Sequence, residues 1–158
     1  MDYFDHEDAF SCLVTEFCQG ETLDKLIEEC NKQKIVIPIE VSLSWTISLL
    51  QTINYLHNTC HIIHRDIKTA NIMAVFNTEK FKKDPIAQLY QVQLKLIDFG
   101  TAKQLKPSVS SSSVENVLKN SGIHSHVGTN MYLAPELHFR QEYNSTVDIW
   151  ALAIVIIQ

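Results

Sequence analysis

The stretch HRDIKTAN, at His64–Asn71, decides how the rest of this 158-residue chain is interpreted. An apolar pair, Ile62–Ile63, precedes it and predicts a very short strand that leads into an irregular, polar loop. Within the loop a carboxylate, an ammonium group and an amide stand at Asp66, Lys68 and Asn71. Catalytic side chains commonly sit on loops that a rigid scaffold holds, so this stretch is a candidate active-site loop.

Three more motifs follow downstream in a fixed order. They are IDFG at Ile97–Gly100, GTNMYLAPE at Gly128–Glu136 and DIW at Asp148–Trp150. Each motif alone is a weak signal, because a loop aspartate is more often a helix cap or a turn residue. Their joint order and spacing match what phosphoryl transfer from metal-bound ATP needs: a carboxylate for the acceptor hydroxyl, an amide and a second carboxylate for Mg²⁺, and a loop that holds the acceptor.

Through these motifs the chain, from about Phe10 to Gln158, resembles the eukaryotic protein kinases of the serine/threonine type. The resemblance implies an α+β, protein-kinase-like fold that is mostly the helical C-terminal lobe, with the N-terminal lobe largely missing. It implies that residues 1–20 are the last N-lobe strand and the interlobe hinge. Residues 21–158 would be the C-terminal lobe up to the family's helix F.

The resemblance also implies roles for the polar residues of the first two motifs. Asp66 would be the catalytic base that orients a substrate hydroxyl, and Lys68 would contact the γ-phosphate of ATP. Asn71 and Asp98 would hold Mg²⁺. A lysine two residues after the aspartate matches the serine/threonine branch of the family, so serine and threonine hydroxyls of protein substrates are the expected acceptors.

The expected nucleotide contacts lie mainly near the N-terminus. The run Ser11–Phe17 has the composition of a strand, and Gln19 and Gly20 end it. By the resemblance, the backbones of Glu16 and Cys18 would meet the adenine edge of ATP, and Met73 would form the floor beneath the ring. Without the later motifs, an ordinary edge strand would be the preferred interpretation of this run.

Three residues are expected to have regulatory roles. Arg65 implies activation by phosphorylation of the segment after Asp98, because a guanidinium can bind a phosphate with two hydrogen bonds. Ser125 is the candidate phosphate acceptor, for an upstream activating kinase or for autophosphorylation, with a plain solvated serine as the alternative. Thr129 would hydrogen-bond near Asp66 and Lys68.

Other motif residues are expected to be structural. His64 would stack beneath Phe99, and Asp148 would accept hydrogen bonds from the backbone of the HRD stretch. Gly100 would allow a sharp turn after Phe99, and Trp150 would lie in the core.

The remaining elements follow from apolar spacing and turn residues. Thr22 can cap a helix over Leu23–Cys30. Pro38 opens a longer helix whose apolar stripe consists of Val41, Trp45, Leu49, Ile53 and Leu56. The segment FNTEKFKKDPIAQLYQ, residues 76–91, predicts a lengthened, solvated surface loop, with a docking surface as the alternative.

Composition excludes several classes of function. The formal net charge of −5 argues against binding to nucleic acid, because non-specific affinity needs clustered Lys and Arg. The apolar run Ile149–Ile157 is shorter than the roughly 20 residues that cross a bilayer, so no membrane association is expected and the run indicates a core helix. Four cysteines without a metal-binding spacing, and no secretory signal, predict an intracellular protein, cytoplasmic or nuclear.

Two hypotheses about function remain open at this point. Nothing before Phe10 resembles a glycine-rich loop, and no VAIK-like strand supplies a lysine for the ATP phosphates. We therefore expect a piece of a longer ATP- and Mg²⁺-dependent kinase, such as a truncated gene model, that is inactive alone. The alternative is a non-catalytic, kinase-like interaction module, a pseudokinase or a regulatory fragment.

Overall fold

The computed structural model of the protein describes residues 2–6, 10–104, 128–139 and 141–158. Helices and small antiparallel sheets alternate along the chain, which confirms the predicted α+β class. The strands are β1 (Asp2–His6), β2 (Phe10–Val14), β3 (Gly20–Thr22), β4 (Ile62–Ile63), β5 (Ile72–Val75), β6 (Gln93–Leu96) and β7 (Lys103–Gln104). The α-helices are α1 (Leu23–Lys32), α2 (Ile39–Asn58), α3 (Thr78–Lys83), α4 (Pro85–Leu89), α5 (Pro135–His138) and α6 (Thr146–Ile157).

The N-terminal strand differs from the prediction. A strand was expected over Ser11–Phe17, whereas β2 ends at Val14 and residues 15–19 have no regular structure. β2 pairs in antiparallel fashion with β1, a strand that the sequence analysis missed. The reason is that β1 contains two aspartates, a residue type depleted in strands, so its composition gave no strand signal.

Helix α2 agrees with the predicted apolar spacing. In α2 the stripe residues Val41, Leu49, Ile53 and Leu56 are buried, and Trp45 packs partly buried against the same core. The expected cap at Thr22 was wrong, because its side chain makes no capping hydrogen bond and the residue instead pairs with Met73 in the sheet. Pro38 stands one residue before α2, at the N-cap position.

A three-stranded antiparallel sheet, in the order β3–β5–β6, places the ends of the motif loops side by side. Ile72 lies opposite Leu96, and the ladder continues outward because the Ile97 N–H donates to the Asn71 carbonyl over 2.9 Å. Since Asp98 follows Ile97 directly, this register brings it next to Asn71.

Residues 76–91 contradict the prediction of a solvated loop. They form two short helices, α3 and α4, that bury Phe81 and Leu89 in the main core. The Asn77 side chain accepts a hydrogen bond from the Lys80 N–H at the start of α3, and Asp84 accepts one from the Ala87 N–H at the start of α4. Pro85 occupies the first turn of α4, where its missing N–H costs nothing.

Helix α6 covers the apolar run near the C-terminus. Its inward face consists of Val147, Asp148, Ala151, Leu152 and Val155. Trp150 was expected in the core, but it is 44% exposed because it lies on the opposite side of the helix. Across the described ranges, no helix combines the length and the apolar character that a membrane crossing requires.

Candidate active site

A buried carboxylate at Asp148 holds the loop His64–Asn71 in place. It accepts hydrogen bonds from the backbone N–H groups of His64, over 2.9 Å, and Arg65, over 2.8 Å, as the sequence predicted. His57 Nε2, at the end of α2, lies 2.7 Å from the same carboxylate. Asp148 is only 1% exposed, so these bonds offset the cost of burying its charge. They join the loop to helices α2 and α6.

His57 is a residue that the sequence analysis did not assign to the site. A signal was present, because His57 follows Ile53 by four residues and continues the buried stripe of α2. A histidine on a buried stripe needs a polar partner, and the DIW motif supplied the carboxylate.

Arg65 has an unusual backbone conformation. Its φ is 69°, in the left-handed region, which costs an L-residue other than glycine about 1–2 kcal/mol. Its guanidinium Nε donates to the Thr101 carbonyl over 2.7 Å, and Nη1 donates to the Tyr143 hydroxyl over 3.1 Å. Ser125, the phosphate acceptor expected for Arg65, lies outside the described residues.

Asp66 is the centre of a closed hydrogen-bond network. One carboxylate oxygen accepts from the Thr129 N–H, over 3.1 Å, and from the Thr129 hydroxyl, over 2.9 Å. The other accepts from Lys68 Nζ, over 2.7 Å, and from Asn71 Nδ2, over 2.9 Å. Burial raises the pKa of this carboxyl, but the hydrogen bonds from Lys68, Thr129 and Asn71 outweigh burial and lower the pKa below its usual value. Asp66 is therefore ionised at neutral pH.

Lys68 and Thr129 complete a triangle with Asp66. Lys68 Nζ donates to the Thr129 hydroxyl over 2.9 Å as well as to the Asp66 carboxylate. The Thr129 hydroxyl thus accepts from an ammonium group and donates to a carboxylate. The structure brings together the three residues that the sequence analysis expected to lie near one another.

Asn71 and Asp98 leave oxygen atoms available beside this network. Asn71 Nδ2 donates both to the Asp66 carbonyl and to its carboxylate, each over 2.9 Å, which turns the amide oxygen to the other side. Asp98 is exposed, and one of its carboxylate oxygens accepts from the Gly100 N–H over 3.1 Å. The second carboxylate oxygen and the amide oxygen are hard ligands of the kind that Mg²⁺ takes. These residues therefore fit a magnesium ion shared with a nucleotide.

The turn expected after Phe99 is present at Gly100 and Thr101, where the Ala102 N–H donates to the Phe99 carbonyl over 3.0 Å. Just before this turn, Asp98 has a positive φ, at 60°. Aspartate tolerates this left-handed conformation better than most residues. Asp98 is the residue after Ile97, whose N–H bonds to the Asn71 carbonyl, so the chain leaves the sheet at Asp98.

His64 packs beneath Phe99, as expected. The two ring centroids are 4.9 Å apart in an edge-to-face arrangement, and His64 is fully buried. Burial lowers the pKa of His64 below its usual value, although the nearby Asp148 carboxylate raises it. His64 Nε2 lies 3.1 Å from the Ile97 carbonyl, which suits a neutral ring that donates from this nitrogen.

The residues expected to contact adenine lie in and beside the three-stranded sheet. Glu16 Oε1 is 2.6 Å from Lys95 Nζ, and Lys95 pairs with Met73 in the β5–β6 ladder. Met73, in the central strand, is half-buried, and Cys18 is half-buried with a free thiol. The Gln19 carbonyl accepts from the Phe76 N–H over 3.1 Å, which holds Gln19 beside the end of β5.

Within the described ranges no group of three or more His, Cys, Asp or Glu side chains could hold a metal ion.

Comparison with known proteins agrees with this geometry. The family model for the protein kinase domain matches residues 1–158, so the chain belongs to the protein kinase family. The chain is 31% identical over 153 residues to serine/threonine-protein kinase Nek11 of Macaca fascicularis, which covers 97% of the chain and 20% of that relative. It is 32% identical over 157 residues to serine/threonine-protein kinase TIO of Arabidopsis thaliana, covering 99% of the chain and 9% of that relative.

A third relative is serine/threonine-protein kinase pakG of Dictyostelium discoideum, 32% identical over 146 residues, which covers 92% of the chain and 10% of that relative. The chain spans about a fifth of the length of Nek11 and less of the other two. The relatives named here are all serine/threonine kinases, and the similarity to each extends over nearly all of this chain.

Proposed function

We propose that the protein carrying this chain is a serine/threonine kinase that transfers the γ-phosphate of ATP to hydroxyls of protein substrates. The observation that carries the proposal is the closed network of Asp66, Lys68, Asn71 and Thr129, with Asp98 beside it. In this proposal residues 1–20 form the end of the small lobe, with β2 as its last strand, and the hinge, and residues 21–158 form the large lobe.

Asp66 has the chemistry that an acceptor hydroxyl needs. Its low pKa keeps it ionised at neutral pH, so it orients the hydroxyl by accepting its hydrogen bond and takes the proton as the phosphate is transferred. Lys68, 2.7 Å away, supplies the positive charge that would compensate the γ-phosphate. Asn71 holds Asp66 in this orientation through two hydrogen bonds.

Asp98 and Asn71 would hold Mg²⁺ through their available oxygens. When bound, the ion neutralises charge on the β- and γ-phosphates. The protein's own contribution is position: the ladder bond from Ile97 to Asn71 fixes both ligands at one end of the sheet. Glu16, Cys18 and Met73 would contact the adenine.

The Thr129 hydroxyl supports serine and threonine as acceptors. It already bridges Asp66 and Lys68, so an aliphatic hydroxyl can be accommodated between these two groups. Phosphorylation after Asp98, at Ser125, by an upstream kinase or by the protein itself, would act through Arg65. The free thiols of Cys18, Cys30 and Cys60 support an intracellular location, cytoplasmic or nuclear.

The proposal is tested by measuring transfer of γ-phosphate from labelled ATP to a peptide that contains serine, threonine or tyrosine. The protein carrying this chain should phosphorylate the serine and threonine peptides, require Mg²⁺ and lose transfer when EDTA is added. Asp66→Asn should reduce transfer strongly while ATP binding is retained.

Undiminished transfer by Asp66→Asn would contradict the assigned base. ATP binding without any transfer by the wild-type protein would favour the non-catalytic, kinase-like module instead.

A further inference from the structure

The segment Gly128–Tyr132 lies directly against the catalytic loop. Gly128 has a φ of 119°, and a Cβ atom at this position would stand 2.7 Å from the Arg65 carbonyl. Thr129 follows and bonds to Asp66 and Lys68. Three residues on, Tyr132 reaches the same loop at its far end. The segment therefore contacts the loop at both of its ends.

The far contact joins two hydroxyl groups. Thr69 Oγ1 and the Tyr132 hydroxyl are 3.2 Å apart, and Thr69 is only 7% exposed. The Tyr132 hydroxyl donates to Gln158 Oε1 over 2.9 Å. Because a phenol has a single proton to donate, Thr69 must be the donor in the bond between the two hydroxyls. A hydroxyl side chain at position 69 is therefore required for this contact.

The two contacts of the segment are mechanically linked. The Tyr132 N–H donates to the Thr129 carbonyl over 2.9 Å, which closes a tight 3₁₀ turn between them. The cavity between loop and segment, lined by Asp66, Thr129 and Tyr132 among others, measures only ≈ 10 Å³, at the lower limit for one water molecule. With so little free space, a shift of Tyr132 is transmitted to Thr129 instead of being absorbed.

We propose that the Thr69–Tyr132 bond positions the acceptor-binding segment, and that Thr69 and Tyr132 are positioning residues for the protein substrate. The inference rests on the proposed kinase function. Neither hydroxyl touches Asp66, so both act through the turn that carries Thr129. Loss of the bond releases one end of the segment, and the Thr129 hydroxyl then no longer holds a fixed place beside the acceptor.

The test compares steady-state kinetics of Thr69→Val, Thr69→Ser and Tyr132→Phe in the protein carrying this chain. Thr69→Val removes the hydroxyl and keeps the shape, whereas Thr69→Ser keeps the hydroxyl. The KM for the peptide acceptor should rise by about three- to tenfold in Thr69→Val and Tyr132→Phe, the range that one net hydrogen bond supplies. The KM for ATP should stay unchanged, and Thr69→Ser should restore the wild-type value.

Two controls separate positioning from general destabilisation. Tyr90→Phe removes a hydroxyl from an exposed tyrosine and should change neither KM. The double variant Thr69→Val with Tyr132→Phe should resemble Tyr132→Phe alone, because Tyr132→Phe already removes the bond to Thr69 together with the bond to Gln158. Equal rises in both KM values, additive single effects, or no rescue by serine would each overturn the inference.

A separate readout distinguishes this inference from the proposed function. If the wild-type protein transfers no phosphate, the proposed function fails, and the bond is then tested by amide hydrogen exchange at residues 129–133. Exchange there should be faster in Thr69→Val than in Thr69→Ser if the bond holds the segment. Equal exchange in the two variants would overturn the positioning role on its own.

Discussion

The candidate catalytic loop, residues 64–71, and the segment of residues 76–91, here called the insert, are held to the same core by different means. Most contacts of the loop are polar, since Asp148 holds its backbone and Asp66 is bound by Lys68, Asn71 and Thr129, although Ile67 packs in the main core. The insert depends on apolar contacts, since Phe81 and Leu89 lie in the same core cluster. Under the proposed function, the polar residues that would carry the chemistry are therefore distinct from the apolar residues that supply stability.

The two regions should therefore respond differently to mutation. Substitutions in the insert should change the free energy of unfolding, and substitutions of the exposed site residues should change turnover alone. Substitutions of buried residues in the candidate catalytic loop should change both the free energy of unfolding and the turnover. The following changes test this division, in order of decreasing effect.

Phe81→Ala should cost about 3–5 kcal/mol of unfolding free energy, because it leaves a cavity where a ring was packed. Phe81 is 4% exposed and packs against Phe76, with ring centroids 5.2 Å apart. Chemical denaturation measures the change, and Lys83→Ala, on the exposed side of the same helix, should cost less than about 0.5 kcal/mol. A large fall in kcat of the folded Phe81→Ala protein would show that the two regions are not independent.

Asp98→Asn should lower phosphate transfer by about 10²- to 10³-fold, because it removes a charge that would hold the metal at the phosphates. Asp98 is exposed, so the midpoint of thermal unfolding should not change. Mg²⁺-dependent kinetics and a melting curve together check the prediction. Asp24→Asn, an equal change of charge in α1, serves as the control, and wild-type turnover in Asp98→Asn would refute the metal-binding role.

His57→Phe should lower the unfolding free energy by about 1.5–3 kcal/mol and also reduce kcat. It takes one donor from the buried Asp148 carboxylate, which also holds the loop backbone. His57→Gln retains an N–H donor and should show a smaller loss in both measurements. If kcat is unchanged in a destabilised His57→Phe protein, then Asp148 does not transmit the change to the loop.

His64 should give the protein a pH-dependent stability below neutral pH. Since the pKa of His64 is lowered in the folded protein, the unfolded chain takes up the proton first as the pH falls below about 6.5. The unfolding free energy should therefore decrease with falling pH, by at most about 1.4 kcal/mol per pH unit, until the folded protein is protonated too. Denaturation between pH 7.5 and pH 5 measures this slope.

His64→Phe should flatten the slope, because phenylalanine keeps the packing against Phe99 and cannot titrate. His138→Gln, at an exposed histidine, should leave the slope unchanged. An identical slope in wild type and His64→Phe would assign the pH dependence to other groups.

The catalytic loop could be predicted from the sequence because its chemistry needs particular residue types at fixed spacing. Asp66, Lys68 and Thr129 meet in the structure, although 61 positions separate Lys68 from Thr129. The insert could not be predicted in this way, because its helices are only six and five residues long and no periodicity develops over such lengths. Its caps at Asn77 and Asp84 were present, but they resemble ordinary turn residues.

The error at Trp150 has another origin. Trp150 is large and apolar, and composition alone does not show which side of a helix faces the core. Tertiary contacts decided between alternatives that local sequence left equal.

The Asp66 carboxylate accepts hydrogen bonds at both of its oxygens, which has a consequence for the hydrolysis of ATP by water. Among the described residues four donors already bond to its two oxygens, so a further hydroxyl or water must replace one of these hydrogen bonds. A lone water molecule would gain no more from such an exchange than it gives up to its bulk neighbours. An alcohol delivered on a docked polypeptide brings binding energy from elsewhere to drive the exchange. Under the proposed kinase function, the same arrangement would disfavour hydrolysis of ATP before an acceptor is bound.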